Sequence, residues 1–573
     1  MYRRRNSFKN MTKSNTLFYL FLLIILIQVS CKKNTTPITP PPPTPPSFKL
    51  TDLKVNGIGN DFIYYAVSIS PEIKISFSAP ADQNTVTNNI SLKTNKGAAV
   101  SLTSSFENDS TIIAKPSSAL NFITKYSLTV GTGLKSKEGA SLQSSVNATI
   151  TTAIDSTDKF PRISDSALLT LVQQQTFKYF WDFGHPISGL ARERSNGDNE
   201  TVTTGGSGFG IMAMVAAVNR GFITRSDAVT RLHTITDFLI TKCQRWHGAF
   251  SHWINGSTGA TVPFGNNNGA DIVETSFLMQ GLLTARQYFN STTDANEIVL
   301  RDSINSIWNS VEWNWFTQNG NANGLYWQYN PSSTNTNDIW SIPVTGWNEA
   351  LITYVLAASS NMYSIPKTIY DNGWANNGAM KNGKTFLGIQ LPLGPDYGGP
   401  LFFTHYSFLG INPHGLSDAY ANYWTQDTAH AKINYLYCVS NPNNYNGYSN
   451  LCWGLTASDD NISGYAAHSP TNDLGIISPT AAISSLPYTT AESMDALKFF
   501  YYKLGDKIWG EYGFKDAFNL TNIWFADSYL AIDQGPQIVM IENYRTGLLW
   551  NLFMSCPEIK RGMRNLGFQS PDL

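Results

Sequence analysis

The chain carries little charge for its length. Asp, Glu, Lys and Arg make up 14% of 573 residues and nearly cancel, leaving a formal net charge of −1. So weak a charge excludes the electrostatic footprint of a nucleic-acid binder or of a protein held on an anionic membrane by charge, and no nucleic-acid partner is expected. Cysteine is scarce as well, with five in all, no CxxC pair and no Cys/His cluster. That argues against a zinc site, and neither metal nor cofactor is expected. No cysteine lies between Lys32 and Lys242, so nothing in that stretch can form a disulfide. GxSxG, GxxxxGK[ST] and HExxH are all missing, which removes three common routes to hydrolysis and phosphate binding. The glycine run GGSGFG (Gly205 to Gly210) follows no strand pattern and lacks the dinucleotide spacing. It reads as the start of a tightly packed helix.

Aromatic residues, in contrast, are abundant at 13%, with 15 Trp and 27 Tyr. Two readings stay open: large cores, or a carbohydrate site in which rings stack on sugar faces while Asp, Asn and Gln hold hydroxyls. The length calls for more than one domain. The N-terminus is basic (Arg3, Arg4, Arg5, Lys9, Lys13), then apolar from Leu17 to Ile27, too short to span a bilayer comfortably, and ends in QVSC. It resembles a bacterial lipoprotein signal, with Gln28 where an aliphatic residue is usual. Residues 1–30 are the expected signal and Cys31 the expected lipidated residue; a plain secretory signal is the alternative. The resemblance implies a protein of the bacterial cell envelope, anchored to the membrane through lipid at its periplasmic face or at the cell surface.

Residues 31–47 are a proline-rich, polyproline-type spacer. Residues 48–155 alternate with period two in short runs such as EIKISFSA and NATITTAI, split by turn residues. Some seven strands in a small β-sandwich are expected. KYSLTVGTGLKSKEGASL resembles the end of a bacterial Ig-like domain. Residues 156–573 change to helical periodicity. The spacing predicts helices after Ser164 and over 208–220, 225–242, 272–289, 295–308, 347–359, 418–438, 490–504 and 537–554. Long polar-aromatic loops join them, which marks them as functional. No repeat period points to a solenoid, so the expected fold is all-α, an (α/α)6 barrel.

Several acids stand where loops meet helices. In GADIVETSFLMQGLL, Asp271 and Glu274 fit a capping box. Glu349 follows Trp347 and Asn348 at another helix start, where the helix dipole alone could account for it. Asp527 and Asp533 flank an apolar turn before Pro536. Glu542 and Arg545, three apart, read first as an internal salt bridge. WHGAFSHWINGSTGATVPFG offers Trp253 and Phe264; two further loops offer His405, Trp453, Asp459 and His468, the histidines more often structural than catalytic. Glycoside hydrolysis needs two carboxyl groups, an acid and a base or nucleophile.

Five segments in order, HPISGLARERSN, TTGGSGFGIMAMVAAVNRGFITR, GADIVETSFLMQGLL, TGWNEALITYVLA and AIDQGPQIVMIENYRTGLLWNL, resemble the glycoamylase-like domain of glycoside hydrolase family 144, the endo-β-1,2-glucanases and related sophorose-releasing enzymes. The resemblance covers Phe160 to Leu573. It implies an (α/α)6 barrel, no metal, and anomer-inverting hydrolysis of β-1,2-glucan by a monomer, with functional acids at Asp271, Glu274 and Glu349. The expected roles are Glu349 as general acid and Asp533, or failing that Asp271, as base, roughly 6.5–9.5 Å from the acid. Glu274, Trp253, Phe264, Trp347, His405, Trp453, Glu542 and Arg545 are the expected substrate contacts. A glucoamylase-type α-glucan hydrolase and a non-catalytic glycan-binding surface lipoprotein are the alternatives.

Overall fold

The computed structural model describes residues 46–265, 267–331 and 339–573. The signal-like segment, Cys31 and most of the proline-rich spacer lie outside the described residues. The β-rich part begins with alternation that the burial follows: in Ile73–Phe77 (β3), Ile73, Ile75 and Phe77 are buried, and Lys74 and Ser76 only half so. One sheet has the order β1 (Leu50–Val55), β3, β7 (Thr111–Pro116), β6 (Leu102–Asn108). The other has the order β2 (Ile63–Val67), β9 (Val146–Thr152), β8 (Lys125–Val130), β4 (Ile90–Thr94), β5 (Ala99–Val100). Nine strands stand where about seven were expected. The additions are pieces without readable alternation: β5 is two residues long, and β2 pairs in parallel with β9 through a register shift around Ala66, whose φ is +51°. Phe48, Tyr64, Leu92, Ile112 and Leu128 fill the core between the sheets. Ile123 and Ile154 reach out of this module and pack against the helical core, and Lys159 N–H donates to the Tyr502 carbonyl at 2.7 Å.

The remainder is helical: α1 (Asp165–Trp181), α2 (Thr204–Asn219), α3 (Arg225–Thr241), α4 (Ile272–Tyr288), α5 (Ala295–Asn309), α6 (Leu351–Ser359), α7 (Lys367–Ile369), α8 (Tyr423–Ser440), α9 (Pro479–Ser484), α10 (Thr490–Ile508), α11 (Ala531–Thr546), α12 (Leu548–Met554) and α13 (Pro557–Leu566). The caps are those the residue types dictate. Ser164, Thr224, Asp271, Asp294 and Asn422 each accept from a backbone N–H of the helix they precede. Four starts differ from expectation: α2 begins at Thr204 rather than 208 and α8 at Tyr423 rather than 418, and the other two bear on the acids. α6 begins only at Leu351, leaving Glu349 in the turn before it. α11 begins at Ala531 and runs through Pro536, whose ring nitrogen leaves the Ile532 carbonyl without its intrahelical donor.

α2 packs on α4 and α11, α4 on α6, and α9 on α11, while the 3-10 turn Ser407–Leu409 lies against α6. Behind these, α1 packs on α2 and α11, α3 on α2 and α5, α10 on α9, and α13 on α6. The α2–α4 contact is backbone to backbone. A Cβ on Gly208 would stand 2.1 Å from the Phe277 carbonyl oxygen, and one on Gly281 would stand 2.2 Å from that of Gly208. This is why the glycine run is there. Cys438 and Cys452 are both buried and free.

At the C-terminal ends of α2 and α11, fully buried Glu542 joins three helices. It accepts from Arg220 Nε at 2.6 Å, Gln173 Nε2 at 3.1 Å, Asn219 Nδ2 at 3.2 Å and Thr546 Oγ1 at 2.9 Å. Arg545 turns away to Thr170 and Gln173. Removing the cation leaves a carboxylate buried with neutral donors alone. Arg220→Met is therefore expected to cost about 3–5 kcal/mol in urea unfolding. An unchanged midpoint would show that the amide and hydroxyl donors suffice.

Candidate active site

A cavity of about 530 Å³ opens where the N-termini of α2, α4 and α11 meet the turns before α6 and around Phe402. Its walls are largely apolar and aromatic: Trp253, Phe264, Phe277, Phe402, Tyr406 and Tyr465. Its polar groups are few and mostly acidic: Glu193, Arg194, His252, Glu274 and Glu349. Helix N-termini carry unsatisfied N–H groups and partial positive charge, so carboxyl groups gather there favourably.

One acid set surrounds the start of α4. Asp271 Oδ1 accepts from the N–H groups of Val273 and Glu274 at 3.1 and 2.9 Å; Oδ2 accepts from His252 Nδ1 at 2.9 Å and Gln328 Nε2 at 3.3 Å. With both oxygens engaged and no exposed surface, Asp271 does not face the cavity. Its assignment as an alternative base is corrected: it is a cap and a tether for His252. Burial alone would depress the His252 imidazolium, but Glu274, the bond to Asp271 and Glu193 together push it up to about 9, so it stands in the wall as a cation. Its ring stacks on Phe264 at 3.9 Å.

Glu274 does face the cavity. Its Oε2 accepts from Gly205 N–H at 2.7 Å, and a Cβ at Gly205 would lie 2.5 Å from that same oxygen. Burial raises its pKa, the charge of His252 lowers it, and Asp271 raises it again, with a net rise. Glu349 sits across from this group, its backbone carbonyl held by the Ser407 hydroxyl. Burial, with Glu274 and Asp271 as nearby like charges, pushes the Glu349 carboxyl up to about 8.

A second acid set lies at the start of α11. Asp459 accepts from Arg194 Nη1 at 3.2 Å and from Ser528 Oγ at 2.5 Å, and its N–H donates to Asp516 Oδ2 at 2.7 Å. Asp516 and Asp533 are buried and hydrogen-bonded to each other, which requires a proton between them. Burial raises both; Asp516 raises Asp533 further, while the bond from Asp533 lowers Asp516, so the shared proton rests on Asp533. Glu193 bonds Arg194 at 2.9 Å, and burial lifts its carboxyl. Among the described residues no group of three or more His, Cys, Asp or Glu side chains is arranged to hold a metal ion.

Other expected contacts lie elsewhere. Trp347 is 4% exposed and packs between Phe408 and Tyr423. Trp453 is fully buried, its indole N–H on the Glu492 carbonyl. His405 is buried against Ser485 outside the main cavity, and burial pulls it down to about 3, so it is neutral. Glu542 and Arg545 lie beside the C-cap of α2, sixteen residues and about 24 Å of helix from its cavity end. These five are corrected from substrate contacts to structural residues. Conversely, Glu193, Arg194, Asp516, Tyr406 and Tyr465 escaped sequence reasoning. The first two lie in HPISGLARERSN, where two adjacent opposite charges in a glycine loop were the available signal.

Two family profiles match: bacterial Ig-like domain over residues 64–152, and glycoamylase, described as "putative glucoamylase", over residues 341–557. The exo β-1,2-glucooligosaccharide sophorohydrolase (non-reducing end) of Parabacteroides distasonis is 47% identical over 427 residues, which cover 70% of this chain. The chain spans only 58% of that relative's length. The endo-β-1,2-glucanase of Chitinophaga pinensis, solved with sophorotriose and glucose, is 47% identical with a TM-score of 0.69, covering 72% of this chain and 100% of that one. A β-1,2-glucanase of P. distasonis is 37% identical with a TM-score of 0.68, covering 91% of this chain and 73% of that one. With these matches joined to a cavity built from the family's own motifs, the chain belongs to the glycoamylase-like family of the glycoside hydrolase 144 type, with a bacterial Ig-like domain ahead of its helical domain.

Proposed function

We propose that the protein hydrolyses β-1,2-glucan, releasing sophoro-oligosaccharides with inversion at the anomeric carbon. The observation that carries this is an aromatic-walled cavity that holds Glu349, protonated at neutral pH, beside a small chamber walled by Asp533 of a carboxyl pair that keeps one ionisable proton. Glu349 donates its proton to the leaving glycosidic oxygen as the C1–O bond breaks. The Asp516–Asp533 pair, carrying one negative charge, takes a proton from the water that attacks C1. Glu274 holds a substrate hydroxyl, and Trp253 and Phe264 supply the stacking surface beside His252. Relatives named for β-1,2-glucan and its oligosaccharides support this choice over starch.

The helix packing favours an (α/α)6 barrel, with α2, α4, α6, the 3-10 turns around Phe402 and Phe408, α9 and α11 as its six inner elements. The domain plan of signal, spacer, Ig-like module and barrel, a lipid anchor at Cys31, a place on the bacterial cell envelope and action as a monomer complete the proposal.

The test is reducing-end release from linear β-1,2-glucan beside starch and a β-1,3-glucan. Release from β-1,2-glucan alone is expected; release from starch would move the protein to the glucoamylase-type reading, and glycan affinity without release would make it a binding protein. Glu349→Gln should lower kcat by about 10²–10⁴ while keeping oligosaccharide affinity. Because the acid must hold its proton, kcat/KM should fall as pH rises past about 8.

The same carboxyl bears on stability. A carboxyl raised from 4.5 to about 8 favours the folded state while protonated, and stability is lost as pH rises between those values. Glu349→Gln escapes that loss. Thermal melts should show the variant above the wild type at pH 8, with the gap closing towards pH 5; a constant gap would contradict the raised pKa.

A further inference from the structure

Beside the main cavity, and sharing Phe402 and Tyr406 with it, is a chamber of about 10 Å³. That is room for one water molecule and nothing larger. Asp533 and Thr480 are in its wall, 4% and 1% exposed. Thr480 Oγ1 has no hydrogen-bond partner among the described residues, although a buried hydroxyl left unpaired costs about 1–3 kcal/mol. The Asp533 carboxyl has the capacity for several bonds, donates a side-chain hydrogen bond to Asp516, and keeps Oδ2 without a partner among the described residues. Of the other polar residues in the wall, which include Ser484, His405 is tied to Ser485 through Nε2 and Thr456 Oγ1 accepts from Phe402 N–H. Two polar groups without enough partners therefore border one water-sized space, at the edge of the cavity where the acid pair of the hydrolysis sits.

We propose that this chamber holds the hydrolytic water, bound between the Asp533 carboxyl and Thr480 Oγ1, and that Thr480 is a positioning residue for the reaction. The assignment rests on the hydrolase reading above. The Thr480 hydroxyl donates to one lone pair of the water, and the water donates to Asp533. The other lone pair is left free for C1. On attack the new C1–O bond forms, the water's proton passes to the Asp516–Asp533 pair, and the old C1–O bond breaks with its electrons taken by the oxygen that Glu349 protonates. Tyr406 and Phe402 border both the chamber and the sugar cavity, and a space of this size admits a water and excludes a second sugar hydroxyl as acceptor.

Thr480 follows Pro479 in the first turn of α9, so its side-chain direction is set by the helix rather than by a loop. Thr480→Val keeps the shape and removes only the hydroxyl. A purely structural Thr480 predicts that this variant is at least as stable as the wild type and equally active, because no protein bond is lost. The proposal predicts a kcat lower by about 10-fold to 100-fold on β-1,2-glucan, with KM and melting temperature near those of the wild type. It further predicts that Thr480→Ser recovers most of that loss. Wild-type kcat in Thr480→Val, or no recovery in Thr480→Ser, would overturn it. A high-resolution crystal structure of the wild type gives an independent reading: a water about 3 Å from both Asp533 and Thr480 Oγ1 is expected, and a dry chamber would overturn the proposal even if the valine variant failed to fold. Wild-type protein inert on β-1,2-glucan would instead sink the hydrolase reading, a separable result.

Discussion

Ionised carboxyl groups cost several kcal/mol to bury unless something compensates, and one end of this helical domain buries a group of them. Asp271, Glu274, Asp516 and Asp533 are almost wholly enclosed, with Glu193 and Glu349 beside them. Three kinds of compensation are visible. Asp271 and Glu274 take backbone N–H donors at helix starts. Glu193, Glu274 and Asp459 have cations nearby in Arg194 and His252. Glu349 and the Asp516–Asp533 pair keep protons. The third solution leaves acids that are neutral at pH 7 beside acids that are charged, the separation of roles that acid–base chemistry on a sugar requires.

That arrangement depends on how closely α2 and α4 approach. Gly208 and Gly281 let the two backbones touch, and Gly205 leaves room for the Glu274 carboxyl to accept from its N–H. The helical domain is thereby divided in function along its length. The C-terminal ends of α2 and α11 are fastened by Glu542 and Arg220, a satisfied buried pair. The N-terminal ends carry strained protonation, crowded acids and underbonded polar groups. Stability is concentrated at one end and chemistry at the other, a common outcome where active sites need groups that folding alone would not choose.

Much of the plan was legible in the sequence, because it rests on local periodicity and capping. The change from period two to helical spacing was readable, and Asp271 with Glu274 announced a helix start by their spacing. Side-chain direction was less legible. Trp347 stands two residues from Glu349, yet its ring turns into the core while the acid faces the cavity. Glu542 and Arg545 were three apart, but Arg220, more than three hundred residues away, took the carboxylate. Arg194 was invisible for the same reason: Asp459, the carboxylate it binds besides its neighbour Glu193, lies 265 residues away. Local pattern names the element, and only the packing decides which residues meet.

The account turns on a water delivered by one set of acids against a bond protonated by the other. Proton NMR of the first product formed from linear β-1,2-glucan, recorded before mutarotation, tests it most directly. Inversion predicts that the new reducing end appears first as the α-anomer. A β-anomer at first detection would mean retention, and would contradict the assignment of Glu349 and the Asp516–Asp533 pair as acid and base.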